Sequence, residues 1–110
     1  MSGAGRTPAV AAATAFLKTL ANEQRLQILC QLADGEQSVS EIGEALDLAQ
    51  SSVSAQLMRL RAEGLVGSRR HGRHVYYSLG RPEVIAVISL LQSTFCAPGE
   101  HLAPLRTKGD

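Results

Sequence analysis

The stretch from Gln50 to Leu79 constrains this chain more than any other. A Ser/Gln-rich segment, QSSVSAQLMRLRAEG, runs directly into LVGSRRHGRHVYYSL. The first segment places Val53, Leu57 and Leu60 at helical spacing and fills the other positions mainly with hydroxyls, amides and arginines, which describes a helix with one apolar edge. The second reads as two strands, Leu65 to Arg70 and Arg73 to Leu79, joined at His71-Gly72. Its Val75, Tyr77 and Leu79 alternate as a half-buried strand requires. A helix that displays short polar groups, followed by a two-stranded wing bearing arginines, is a surface suited to a nucleic acid duplex.

The charge distribution agrees. Five arginines (Arg59, Arg61, Arg69, Arg70 and Arg73) stand against the single Glu63 between Arg59 and His74, whereas the rest of the chain carries six basic and nine acidic residues. The overall balance of +1 therefore conceals a basic patch on an acidic body, and phosphate binding needs such a patch. At 110 residues the chain forms one small domain that covers its core poorly alone, a deficit that dimerisation would relieve. The longest apolar run, Val84 to Leu91, is broken by Ser89 and falls far short of the roughly 20 residues a membrane span needs. The opening MSGAGRTPAV lacks the apolar centre of a signal peptide, so a cytoplasmic location is expected. Cysteines in that compartment are ordinarily free thiols, and a disulfide there would be a transient switch.

Between two tails expected to be flexible, residues 1–8 and 98–110, the pattern gives one domain over residues 9–97. An Ala-rich helix from about Ala9 to Leu20 carries Val10, Ala13, Leu17 and Leu20 along one face. Asn22 caps a second helix to about Leu32, with Leu26, Leu29, Cys30 and Ala33 apolar. Ser38-Val39-Ser40-Glu41 is a capping box for a short third helix that buries Ile42, Ala45 and Leu46. A turn over Asp47 to Ala49 leads to the Ser/Gln-rich helix, and two helices joined so briefly make a helix-turn-helix. Pro82 opens a last helix to about Cys96, in which Val84, Val87, Ile88, Leu91 and Phe95 form a stripe wider than one domain can cover. The fold class is mainly α with a β-hairpin, a winged helix-turn-helix.

Side chains that reach base edges from a helix in the major groove carry short donors and acceptors near its N-terminal end. Gln50, Ser51, Ser52, Ser54 and Gln56 have that chemistry and are the candidate base readers. Arg69, Arg70 and Arg73 at the hairpin tip are candidates for backbone phosphates or the minor groove. Arg59 and Arg61 are equally explained as solvated or paired with Glu63. No Cys-x-x-Cys and no Gly-rich phosphate loop supports an enzyme such as a thiol oxidoreductase, and no cofactor is expected. Cys30 lies on the inward face of its helix, and Cys96, eleven positions after Ile85, returns close to that residue's helical face at about 100° per residue. Taken alone, both cysteines are read as small buried hydrophobes.

The run from Leu17 to Leu79 closely resembles the arsenic-repressor (ArsR/SmtB) family of winged-helix regulators, most specifically in ANEQRLQIL, SSVSAQLMRLRAEGLV and GRHVYYSL. The resemblance implies a homodimer joined through the first and last helices, and a repressor that leaves double-stranded operator DNA when an inducer binds or reacts. The family's metal sensors carry Cys-x-Cys where this chain has Ser38-Val39-Ser40, and hydroxyls are poor ligands for soft metals. Others use Asp/His and His/Glu pairs on the last helix, where this chain has Arg81, Glu83, Thr94 and Ala97. His71 with His74, and Cys96 with Glu100 and His101, lack convergent ligand geometry, so no metal site is expected. A cysteine in LQILCQL and another just after the last helix's Phe look like the sulfide- and persulfide-responsive branch of the family. That likeness implies redox sensing by Cys30 and Cys96, joined within one subunit as a disulfide or polysulfide bridge by reactive sulfur species or another oxidant.

Overall fold

A computed structural model describes residues 7–96. The expected tails therefore fall almost wholly outside the described residues, as do Glu100 and His101. Five helices and one hairpin follow in order: α1 (Pro8–Leu20), α2 (Glu23–Leu32), α3 (Val39–Leu46), α4 (Gln50–Ala62), β1 (Val66–His71), β2 (His74–Leu79) and α5 (Pro82–Phe95). This is the winged helix-turn-helix arrangement.

Local chemistry accounts for most helix ends. Thr7 caps α1 through its hydroxyl, which accepts from the Val10 N–H, with Pro8 next in the first turn. Asn22 caps α2 by accepting from the Arg25 N–H. At α3 the capping box is complete: the Ser38 hydroxyl accepts from the Glu41 N–H at 3.2 Å, and the Glu41 carboxylate accepts from the Ser38 N–H at 2.9 Å. The turn out of α3 passes through Asp47 in the left-handed region, φ 55° and ψ 49°, a conformation Asp tolerates better than most residues.

The core gathers Leu20, Ile28, Leu29, Leu32, Ile42, Val53, Leu57, Leu60, Leu65, Val66, Val84 and Ile88 around Cys30. Val53, Leu57 and Leu60 are wholly buried, as the spacing of α4 predicts. Strands β1 and β2 pair antiparallel from Val66 opposite Leu79 to His71 opposite His74. The turn is therefore Gly72-Arg73 and not His71-Gly72, a shift of one residue. Gly72, at φ 64°, supplies the left-handed conformation that a two-residue hairpin turn demands, and this fixes the register. The wing is also tied to the body: Gln37 exchanges backbone hydrogen bonds with Tyr77, at 3.0 and 2.8 Å.

Several expected faces differ. On α1, Leu20 is buried and Phe16 packs partly against the core, but Val10, Ala13 and Leu17 are exposed. On α2 the buried side centres on Ile28, Leu29 and Leu32, while Ala33 is exposed. On α3, Ile42 and Gly43 are buried and Ala45 and Leu46 only half-buried. Val84 and Ile88 are the buried part of the α5 stripe, and Ile85, Leu90 and Phe95 stand exposed, Phe95 at 70%. Among the described residues nothing covers these apolar groups on α1 and α5. No described helix is long and apolar enough to cross a membrane.

The approach of α3 to the turn before α4 depends on Gly43, where an added Cβ would lie 2.9 Å from the Leu48 carbonyl oxygen. Alanine would gain up to about 1 kcal/mol of helix propensity, but the contact is with backbone and forces the turn to move. Gly43→Ala is expected to destabilise the fold by about 1–3 kcal/mol, as overpacked sites generally do. Urea unfolding checks this, and an unchanged or raised midpoint would contradict the packing described.

Candidate nucleic-acid interface

Burial of Val53, Leu57 and Leu60 fixes which side of α4 faces outward. Gln50 and Ser51 at its start are exposed and Ser52 and Ser54 half-buried. None of the four forms a side-chain hydrogen bond with another described residue, which leaves their donors and acceptors available at the helix's N-terminal end. One further turn along the outward face stand Ala55 and Met58, the latter 72% exposed. Sequence reasoning passed over both because they are apolar. Their spacing from Ser51, four and seven positions, was the signal, and apolar side chains suit the thymine methyl.

Gln56, expected among the base readers, is instead turned toward α2. Its Oε1 accepts from Arg25 Nη1 at 3.3 Å, and its Nε2 donates to Gln24 Oε1 at 3.2 Å. Both ends of the amide are occupied within the protomer. Arg25 is itself buried and was not singled out from the sequence. The signal was present: it precedes Ile28, Leu29 and Leu32 by three, four and seven positions on the buried side of α2, a place where a guanidinium needs internal acceptors.

The wing divides its arginines. Arg69 forms a two-pronged ion pair with Glu36, in the loop between α2 and α3, with Nε donating at 3.2 Å, and its guanidinium lies 5.5 Å from the Tyr76 ring centre. The hydrogen bond from Arg69 holds the Glu36 carboxyl below its ordinary range, and the same bond raises the Arg69 guanidinium. Arg69, expected to pair with backbone phosphates or enter the minor groove, is held by a carboxylate in the described protomer. Arg70 and Arg73 are exposed and have no partner among the described residues. Arg59 pairs with Glu63 at 3.4 Å, while Arg61 is exposed and unpaired among the described residues.

Of the two partial metal arrangements, the one formed by Cys96 with Glu100 and His101 lies partly outside the described residues. His71 and His74 face one another across the hairpin end, and no group of three or more His, Cys, Asp or Glu able to hold a metal occurs among the described residues. Ser38, in the position of a thiolate ligand, is occupied as the cap of α3.

The two cysteines lie on different elements, Cys30 in α2 and Cys96 at the C-terminal cap of α5. Both are free thiols, Cys30 buried and Cys96 half-buried. The Cys30 thiol is pushed up to about 11, first by burial and then by the charge of Cys96.

Comparison with known proteins follows the same outline. The description "Bacterial regulatory protein, arsR family" matches residues 22–68. The transcriptional activator HlyU of Vibrio cholerae is 48% identical over 86 residues, covering 78% of this chain and 80% of that protein. Its reduced structure superimposes with a TM-score of 0.76 at 47% identity, over 79% of this chain and 92% of that one. The biofilm growth-associated repressor of Agrobacterium fabrum is 43% identical over 87 residues, 79% of this chain and 74% of that protein. The homodimeric winged helix-turn-helix DNA-binding domain of Mb0332 from Mycobacterium bovis matches with a TM-score of 0.68 at 37% identity, over 83% and 88% of the two chains.

The thiolate is the reacting form of cysteine, so a buried thiol displaced to about 11 is nearly inert at neutral pH. Iodoacetamide at about pH 8, near the ordinary thiol range, is expected to alkylate Cys96 well before Cys30. The Cys30 rate should climb only as pH approaches 11. Mass spectrometry of proteolytic fragments reads both sites, and equal labelling at the lower pH would contradict the assigned environment of Cys30.

Proposed function

Since this chain belongs to the arsR family of bacterial regulatory proteins, and is a DNA-binding regulator of transcription and no enzyme, we propose that it is a homodimeric repressor controlled by its two thiols. In the reduced form it binds a pseudo-palindromic operator. When Cys30 and Cys96 are joined by a disulfide or polysulfide bridge, it lets go. The observation that carries the DNA half of this reading is the outward side of α4, lined by Gln50, Ser51, Ser52 and Ser54, together with Arg70 and Arg73 of the wing, which are exposed and unpaired among the described residues. What supports the switch is that both cysteines are free thiols on separate elements, Cys30 buried in α2 and Cys96 half-buried at the cap of α5.

The exposed Val10 and Leu17 of α1 and Ile85, Leu90 and Phe95 of α5 support a partner protomer on that side, because apolar groups of this size gain most from burial against a second copy. A homodimer presents two α4 helices, and operator half-sites then lie about one helical turn of DNA apart. Ser51, Ser52 and Ser54 read base edges, Arg70 and Arg73 hold phosphates, and Arg69 reaches a phosphate only by leaving Glu36.

The thiol chemistry follows from exposure. Cys96, the more accessible sulfur, attacks the outer sulfur of a persulfide donor R–S–SH, takes that sulfur as Cys96–S–SH and releases the thiolate RS⁻. The Cys30 thiolate then attacks the Cys96 sulfur and expels HS⁻, leaving Cys30–S–S–Cys96. Two protein thiols are oxidised and the donor's sulfane sulfur is reduced to hydrosulfide. A second sulfur transferred before closure leaves one sulfur atom in the bridge. Closure draws the end of α5 toward α2 and alters the dimer seam, and small rotations at subunit interfaces change the spacing of paired recognition elements.

Cys30→Ser and Cys96→Ser are each expected to bind operator duplex as tightly as reduced wild type and to stay bound after persulfide treatment. Treated wild type should release the duplex, gain an intramolecular link visible by mass, and rebind after dithiothreitol. Release of the single variants with wild-type efficiency would overturn the role given to the cysteines.

A further inference from the structure

Two hydrogen-bonded routes run from α4 to a single residue of α1. Arg25 is 9% exposed. Its Nε donates to the Thr19 carbonyl at 2.9 Å and its Nη1 to Gln56 Oε1 at 3.3 Å. One guanidinium thus spans the last turn of α1 and the middle of α4. The second route meets the other end of α4: the Thr19 hydroxyl, itself almost wholly buried, donates to the Glu63 carboxylate, which Arg59 also engages at 3.4 Å. Arg has donors only, so Gln56 must present its oxygen to Arg25, and its NH2 is thereby directed at Gln24. The arrangement is directional and leaves one orientation of the amide.

We propose that Arg25 is a positioning residue for DNA binding, which fixes the setting of α4 relative to α1 through Gln56 on one side and Thr19 on the other. It rests on α4 being the helix that meets DNA. The Glu63 carboxylate just past α4 is bonded by Thr19 of α1, and the amide at the middle of α4 by Arg25 of α2, which itself bonds Thr19, so the two attachment points oppose rotation of the helix about its own axis. Apolar packing of Val53, Leu57 and Leu60 cannot do this alone, because hydrophobic contact is non-directional, whereas hydrogen bonds from a planar guanidinium specify angle as well as distance. If α1 also lies in the dimer seam, the bond set carries the geometry of that seam to each recognition helix. Gln56 then serves DNA binding without touching a base.

A double-mutant cycle in operator affinity decides the matter. Arg25→Met and Gln56→Met keep the apolar stems and remove the bond. Each is expected to weaken operator binding about tenfold, while the double variant also loses about tenfold. Affinity for random-sequence duplex should change by less than about threefold, and the thermal midpoint of Gln56→Met should stay near that of wild type. A double variant losing about a hundredfold would show two independent contributions and overturn the proposal, since Gln56 would then act on DNA directly. If Arg25→Met does not fold, Arg25→Lys replaces it, because lysine keeps the charge but cannot hold Thr19 and Gln56 in one plane. Ser54→Ala, in parallel, separates the possible failures. If Ser54→Ala weakens operator binding and the Arg25 and Gln56 variants do not, the positioning role is wrong; if none of them does, α4 is not the reading helix and both readings fall.

Discussion

The structure depends on the seating of α4. Its three core residues at positions 53, 57 and 60 are completely buried, and each such side chain contributes about 1.5–3 kcal/mol relative to exposure. That burial is strong enough to fix which side of the helix faces outward, and the polar residues at its start inherit their exposure from it. Gly43 permits α3 to lie against the connecting turn, and the Gln37–Tyr77 bridge joins the loop before α3 to the wing. Recognition helix and wing are therefore parts of one packed body, and the basic hairpin is held in a defined place beside α4.

Two kinds of interaction divide the labour around that helix. Apolar packing supplies most of the stabilisation and little angular information. The Arg25, Thr19, Gln56 and Glu63 bonds supply angle, and the net contribution of each to stability is modest because folding exchanges hydrogen bonds with water for hydrogen bonds within the protein. The wing shows the complementary case at the surface. Arg69 and Glu36 are exposed to solvent, where an ion pair is typically worth at most about 1 kcal/mol, so a phosphate in a complex can compete for Arg69. The thiols differ in environment too: Cys30 is buried and its thiol pushed up to about 11, whereas Cys96 is half-buried.

Much of this was legible in the sequence, for physical reasons that can be named. The Ser38–Glu41 capping box, the Asn22 cap, Pro82 and the buried edge of α4 are short-range signals, and each holds in the structure. The hairpin tip slipped by one residue because His71-Gly72 and Gly72-Arg73 both place the glycine in the turn, and only cross-strand register separates them. Gln56 and Arg69 read as free DNA ligands because their partners, Arg25 and Glu36, lie 31 and 33 residues away. The apolar face of α1 was legible but not what lies against it, since periodicity tells that a helix has an apolar face and not which molecule covers it.

The N-terminal part of α4 and the wing tip are proposed as the DNA-reading surface of the reduced protein. Amide chemical shifts of isotope-labelled reduced protein, followed during titration with operator duplex, test it directly. The largest changes are expected at Gln50 to Ala55 and at Gly72 and Arg73, with saturation at one duplex per dimer. Changes concentrated on α1 and α5, with residues 50–55 unmoved, would contradict that reading.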